Sequence, residues 1–373
     1  MKIILAPDSF KDCMRAGEVV AALKEGILLR QPDWEVVELP MADGGEGTVE
    51  AYLRLGGARK LTLPTVGPRG EKLTADLAVL QDGTCVMEMA SAAGLELLSP
   101  QERNPMLTST YGVGLLLRQC IEKGYRRFII GIGGSATVDC GIGMLQGLGY
   151  QFFQADGGLI PNGAGGGALS QVASVRDEAV VADWRDVQII SACDVTTPLP
   201  QSAIVYGPQK GATPEMVRSL TEGLLHFASL FHDDGMTPGD GAAGGIAFAI
   251  RRVLGGTSRS GAELLLEQAR FEELCKDADA VITGEGRTDF QSAQGKCCGC
   301  IAKRAAAFGV PVILASGALV PEELPLDSHS PFTAMFSIST GPSDLATALK
   351  NTKANLRRFG WNIASMLAQR DRL

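Results

Sequence analysis

The chain is short of histidine and of positive charge. Among 373 residues there are three histidines and 18 prolines, and 34 Lys plus Arg stand against 42 Asp plus Glu, a formal charge of −8 with a pI near 5.1. The scattered His226, His232 and His329 do not make a histidine-rich metal site. An acidic balance excludes a basic nucleic-acid coat, and 18 prolines exclude a proline-rich linker. No apolar run reaches the ~18 to 20 residues that span a bilayer. The opening MKIILAPDSF has no apolar core followed by a small-residue cleavage site, so a soluble, cytoplasmic protein is expected. Repeats with a fixed period of about 20 to 50 residues are missing too, which disfavours solenoids and propellers.

Glycine is abundant instead, at 46 of 373 positions, without a G-X-Y period, and 45% of the residues are hydrophobic. Collagen and whole-chain disorder are thereby excluded, and the glycines must serve local backbone needs. At about 100 to 200 residues per domain the length suggests two or three domains. Nine irregularly spaced cysteines fit reduced thiols better than a disulfide framework.

Short β-branched runs end at Gly- or Asp-rich turns and lead into Ala/Leu-rich helical patterns, the order expected of α/β units with parallel strands. Ile3 to Ala6 reads as a buried strand, Pro7 to Lys11 as its exit loop and Ala16 to Leu29 as a helix. Arg127–Ile130 before Gly131–Ser135, Ala280–Ile282 before Thr283–Asp289, and Val312–Leu314 before Ala315–Gly317 repeat the pattern. In open α/β sheets ligands bind beyond the C-terminal strand ends, so these polar loops matter most. Both chain ends carry the same pattern, which suggests one sheet built from residues 1–65 and 271–373 with a second α/β domain, 66–270, inserted. A cleft between them is expected to hold the active site.

Several loops carry chemistry. In ITGEGRTDFQSAQGK, residues 282–296, Gly284, Glu285, Arg287, Asp289 and Lys296 suit a phosphate and its metal, although a solvated surface turn explains them equally. GIGGSATVDCGIGM, residues 131–144, offers Gly133 and Gly134 amides with Ser135 and Thr137 hydroxyls to an anion. Gly131, Gly133 and Ala136 also match the dinucleotide fingerprint, with Tyr150 to Gln154 as the next strand and Asp156 as ribose acceptor, so an NAD(P)-dependent oxidoreductase is a rival reading. ADGGEGT, residues 42–48, places Asp43 and Glu46 around Gly44, either as ligand contacts or as a capped helix start. APDSFK adds Asp8, Ser9 and Lys11. Asp194 in ACDVTTPL is a helix cap or a proton acceptor, and Lys210 in YGPQKGA suits a phosphate or carboxylate. GDGAAGGI, residues 239–246, is read as close packing. The Cys297-x-x-Cys300 spacing formally invites zinc or redox readings, which the lack of a second pair disfavours; a thiolate with its pKa lowered by a helix start and Lys296 stays open. Walker A is absent, because Gly295-Lys296 continues with Cys297.

Taken in series, APDSFK, ADGGEGT, GIGGSATVDCG, CDVTTPL, YGPQKGA, GAAGG and ITGEGRTDFQSAQGK resemble the bacterial glycerate kinase family from residue 6 to residue 296. Three positions depart from the family pattern: Tyr206 where Phe is usual, Cys140 where Gly is common, and Thr197 where Asn is common. The resemblance implies ATP-dependent phosphorylation of D-glycerate to 2-phosphoglycerate, Mg2+, and a Rossmann-like domain interrupted by a second α/β domain. Such a kinase needs a proton acceptor, for which Asp194 is the choice. Lys210 and Lys296 are expected to stabilise phosphoryl charge, Glu285 and Asp289 to contact Mg2+, and Asp8, Ser9, Lys11, Asp43, Gly44 and Glu46 to hold glycerate. Gly133, Gly134, Ser135, Thr137, Gly284 and Arg287 are the nucleotide candidates. D-glycerate and ATP are the expected partners, with no nucleic acid or membrane and with a homodimer admitted; a hinged, non-catalytic solute-binding protein is the third reading.

Overall fold

The computed structural model of the chain describes residues 1–289, 297–320, 324 and 330–369. It divides into two compact units, Met1–Asp43 with Ala262–Leu373, and Gly44–Gly261. Its strands in chain order are β1 (Lys2–Pro7), β2 (Glu35–Glu38), β3 (Arg59–Val66), β4 (Lys72–Val79), β5 (Thr84–Glu88), β6 (Arg127–Gly131), β7 (Gln151–Phe153), β8 (Ser174–Arg176), β9 (Gln188–Ala192), β10 (Thr257–Arg259), β11 (Ala280–Thr288), β12 (Val312–Leu319) and β13 (Ala334–Ser337).

The unit built from both chain ends holds a five-stranded sheet in the order β13-β12-β11-β1-β2, parallel at every pairing. Parallel strands covered on both faces read as unbroken apolar runs, and Ile3, Ile4 and Leu5 are accordingly buried without remainder. Helix Ala16–Arg30 packs with helix Leu345–Leu367, joining Val19, Leu23 and Ile27 to Leu356, Phe359 and Ile363 in one core. The two backbones approach so closely that a Cβ on Gly26 would lie 1.9 Å from Arg357 O. In this unit the structure corrects two expected loops. β11 runs on through Thr288 and β12 through Leu319, with Glu285 beside Ser316 and Arg287 beside Ala318, so residues 283–288 are strand and not exit loop. Small residues on both strands and continued ladder bonding carry the pairing past the point where the apolar run stops.

The unit spanning Gly44–Gly261 holds a six-stranded sheet in the order β10-β9-β6-β5-β4-β3. β5, β6, β9 and β10 run parallel, while β3 and β4 add an antiparallel edge. Because β3 pairs with β4 along its whole length, residues 44–65 belong here, and the chain changes unit inside ADGGEGT. Phe128, Ile130, Phe152, Phe227 and Phe248 lie in its core. Among the described residues no helix is long and apolar enough to cross a membrane.

Candidate functional site

In the two-ended unit, the segments that follow β1 and β2 meet the C-terminal part of β11. Asp8 N donates to Gly284 O at 2.8 Å and Met41 N to Pro7 O at 2.9 Å, which brings residues 7–11 and 41–43 beside residues 284–289. Ser9 N donates to Asp8 Oδ1 at 2.6 Å. Burial of the Asp8 carboxyl, and then the neighbouring charges of Asp43 and Glu285, push its pKa up to about 7. Glu285 is steadied by Thr288 Oγ1, which donates to its Oε1 at 3.0 Å and lies 2.9 Å from Ser316 Oγ. Lys11, Asp43 and Arg287 are exposed, and Ser9 and Asp289 are partly buried. Lys296 lies outside the described residues.

Cys297 and Cys298 open helix Cys297–Ala306 within this acidic setting. Burial first, and then the charges of Asp8 and Glu285, raise both thiols well above the usual value, so the expectation of a lowered thiolate pKa is overturned. Among the described residues no three His, Cys, Asp or Glu side chains form a group able to hold a metal ion. Mg2+ asks for less, since one or two carboxylates with water and phosphate oxygens complete its shell. Glu285 and Asp289 are hard oxygen donors of the kind it takes.

In the other unit, residues 44–48, 131–137 and 192–194 stack backbone on backbone at the ends of β6 and β9. Gly133 N donates to Gly44 O at 3.0 Å. A Cβ on Gly133 would lie 2.6 Å from Gly45 Cα, and one on Gly44, whose φ is +94°, would lie 2.3 Å from Ala192 O. Only glycine fits either position. From the other side Leu95 N donates to Gly134 O and Ala136 N to Ala93 O, each at 2.8 Å. Gly134, Glu46 and Asp194 are exposed, whereas Ser135 is 8% exposed and Thr137 fully buried with no partner for Oγ1 among the described residues. Lys210 lies beneath this loop: 2% exposed, it donates from Nζ to Ser135 Oγ and to Thr137 O, each at 2.7 Å. Burial lowers its pKa to about 7 against the opposing influence of Asp139.

Two expected features of this unit change. The dinucleotide fingerprint would open a helix on its glycines, but residues 132–141 form a long loop and the helix spans Ile142–Leu148, starting behind a left-handed Gly141. β7 is not the next strand of the sheet but pairs antiparallel with β8 in a separate two-stranded sheet, leaving Asp156 exposed in a turn. The dinucleotide reading fails on both counts, since it needs a helix N-terminus on the glycines and a ribose acceptor on the neighbouring parallel strand. Nor do Asp43 and Glu46 form a capping box. Gly47 precedes helix Thr48–Arg54, and Glu88 at the end of β5 accepts from Val49 N at 2.7 Å. The glycines of residues 239–246 pack as expected, with Gly244 O accepting from Cys140 N at 2.9 Å.

Asp139 escaped the sequence reading although it sits in the quoted GIGGSATVDCG. Fully buried, it accepts from Thr110 N at 2.8 Å, Thr110 Oγ1 at 2.7 Å and Gly141 N at 3.2 Å, and burial still raises its pKa. The departures from the family pattern are also accounted for. Cys140 has a φ of +50°, the left-handed region glycine enters freely, and Thr197 Oγ1 and Tyr206 OH are hydrogen-bonded to each other at 2.9 Å.

Strand ends of this kind, carboxylates over one sheet and stacked amides over a buried lysine in the other, belong to α/β enzymes that act on small charged molecules. Residues 3–368 match the family model of the Glycerate kinase family. A glycerate kinase of Bacillus subtilis is 40% identical over 98% of each chain, and the Escherichia coli glycerate 2-kinase 39% identical over 99% of this chain and 98% of its own. A Salmonella typhimurium LT2 crystal structure, provisionally named glycerate kinase 2, covers all of both chains with a TM-score of 0.84 and 38% identity. The chain belongs to the glycerate kinase family. Kinase chemistry, with ATP as phosphate donor, comes with that membership.

Proposed function

We propose that the protein phosphorylates D-glycerate at its 2-hydroxyl with ATP, giving 2-phosphoglycerate and ADP. The observation that carries this reading is the full-length match to the glycerate kinase family, with a glycerate 2-kinase among the relatives. In the reaction the hydroxyl oxygen bonds to the γ-phosphorus, the bond from that phosphorus to the bridging oxygen breaks, ADP leaves, and the hydroxyl proton passes to a carboxylate.

Asp194 is the assigned acceptor, supported by its exposure just beyond β9. Asp8, Ser9, Lys11, Asp43, Gly44 and Glu46 are the glycerate candidates; Lys11 suits the carboxylate and the acids suit hydroxyls. Gly133, Gly134, Ser135 and Thr137, with Gly284 and Arg287, are the nucleotide candidates, and Lys210 and Lys296 supply positive charge. Glu285 and Asp289 would hold Mg2+, which when bound neutralises phosphate charge. A homodimer remains part of the proposal.

A coupled assay tests the reading. ADP release that requires both D-glycerate and Mg2+ supports it, and ATP left intact in their presence contradicts it. Asp194→Asn is expected to lower kcat by ~10²-fold or more if the carboxylate takes the proton; unchanged turnover removes that assignment.

A further inference from the structure

Lys210 ends the short helical turn Pro208–Lys210 and is held there by Gly211, whose φ is +89° and whose Cβ, if present, would lie 2.3 Å from Arg103 O. The chain therefore has little room to present this side chain elsewhere. Its Nζ donates to Ser135 Oγ and Thr137 O at 2.7 Å, two acceptors on one face of the same loop. Asp139 is the carboxylate that influences it, yet the oxygens of Asp139 are engaged by Thr110, Gly141 and Gly143. A buried ammonium without a carboxylate in contact is a costly way to brace a loop, and a well-packed apolar side chain commonly does so at no loss of stability. A use for the ammonium itself is indicated.

That use follows from donor counting. While Lys210 carries its proton, Ser135 Oγ accepts from the ammonium, and its own hydrogen is left for another group. Among the described residues no protein acceptor takes it, and Ser135, next to the exposed Gly134, keeps 8% of its surface. A hydroxyl that accepts from a cation is also a stronger donor.

We propose that Lys210 is a positioning residue that acts through Ser135: it fixes the 131–139 loop and polarises the Ser135 hydroxyl as a donor to a nucleotide phosphate oxygen, without touching the phosphate. This rests on the kinase reading of the loop, and it separates Lys210 from a direct phosphoryl contact.

Steady-state kinetics of Lys210→Met, Ser135→Ala, their double variant and Ser135→Thr test it, with ATP and D-glycerate varied in turn. Each of the first two is expected to lower kcat/KM for ATP by ~10²-fold, the order of one lost donor at a developing charge. The double variant is expected to be no worse than the poorer single one, as for groups acting as a unit. Ser135→Thr, which keeps the hydroxyl, is expected to recover most of the loss, a rescue that a purely structural role does not give. Losses that multiply to ~10⁴-fold in the double variant overturn the proposal, because Lys210 then acts on the ligand independently. Should Lys210→Met fail to fold, the Ser135 pair decides: loss with Ala and recovery with Thr supports the relay, and wild-type kinetics in Ser135→Ala overturns it. An inactive wild-type enzyme counts against the kinase reading and is thereby distinguished from these outcomes.

Discussion

A lysine taken out of water keeps its proton less readily than one at the surface, and Lys210 shows the consequence for stability. Its folded pKa of about 7 lies below the ordinary lysine value. Between those two values the unfolded chain holds a proton that the folded chain has released, so this group's contribution makes stability rise with pH across that window. Lys210→Met lacks the term. Its melting temperature relative to wild type is therefore expected to be most favourable near pH 6.5 and to fall steadily towards pH 9.5; a gap that does not change with pH contradicts the assignment. Tyr206→Phe tests a smaller contact. Losing the bond to Thr197 is expected to cost about 1 kcal/mol in chemical denaturation, with activity close to wild type. Residue chemistry was only partly legible in the sequence. Exposed or half-buried groups such as Asp8, Asp43 and Glu285 could be named from their place after apolar runs. The burial of Lys210 and the anchoring role of Asp139 could not, because both depend on what other segments place above and around them.

Elements carry the next level of the account. The 131–139 loop is held in shape by neighbours that approach too closely for any side chain, and Gly133→Ala sets a methyl 2.6 Å from Gly45 Cα. Overpacking of this kind costs about 1 to 3 kcal/mol. Lower stability together with a raised KM for ATP is expected, and unaltered values for both would deny the loop its proposed place. The loop 239–245 behind it is tied by Arg251, which donates from Nε and Nη2 to the two oxygens of Asp240, each at 2.7 Å, while Asp240 is 2% exposed. Arg251→Ala leaves that carboxylate buried and unpaired, for which a loss of about 3 kcal/mol is expected in urea unfolding. Strand starts such as Ile3, Arg127 and Ala280 were legible from apolar runs. The ends of β11 and β12 were not, since Glu285 to Thr288 is polar and is held as strand by its partner β12 rather than by its own hydropathy. Likewise β7 looked like the next parallel strand, and only its pairing with β8 shows otherwise.

At the level of the whole chain, the two units each put ligand-type chemistry at the C-terminal ends of parallel strands, the edge where α/β sheets bind small molecules. The α/β class followed from the alternation of strand and helix patterns. The place where the chain changes unit did not, because no linker composition marks Asp43–Gly44; the antiparallel pairing of β3 with β4 draws residues 44–65 into the second unit. The series of motifs spread from residue 6 to residue 296 carried more functional information than any one of them. The central claim is the identity of the product, and NMR of the reaction of D-glycerate with ATP and Mg2+ reads it directly. A phosphorus signal coupled to the single methine proton of the three-carbon acid is the predicted result; coupling to the methylene protons instead, or no new phosphate ester, contradicts the account.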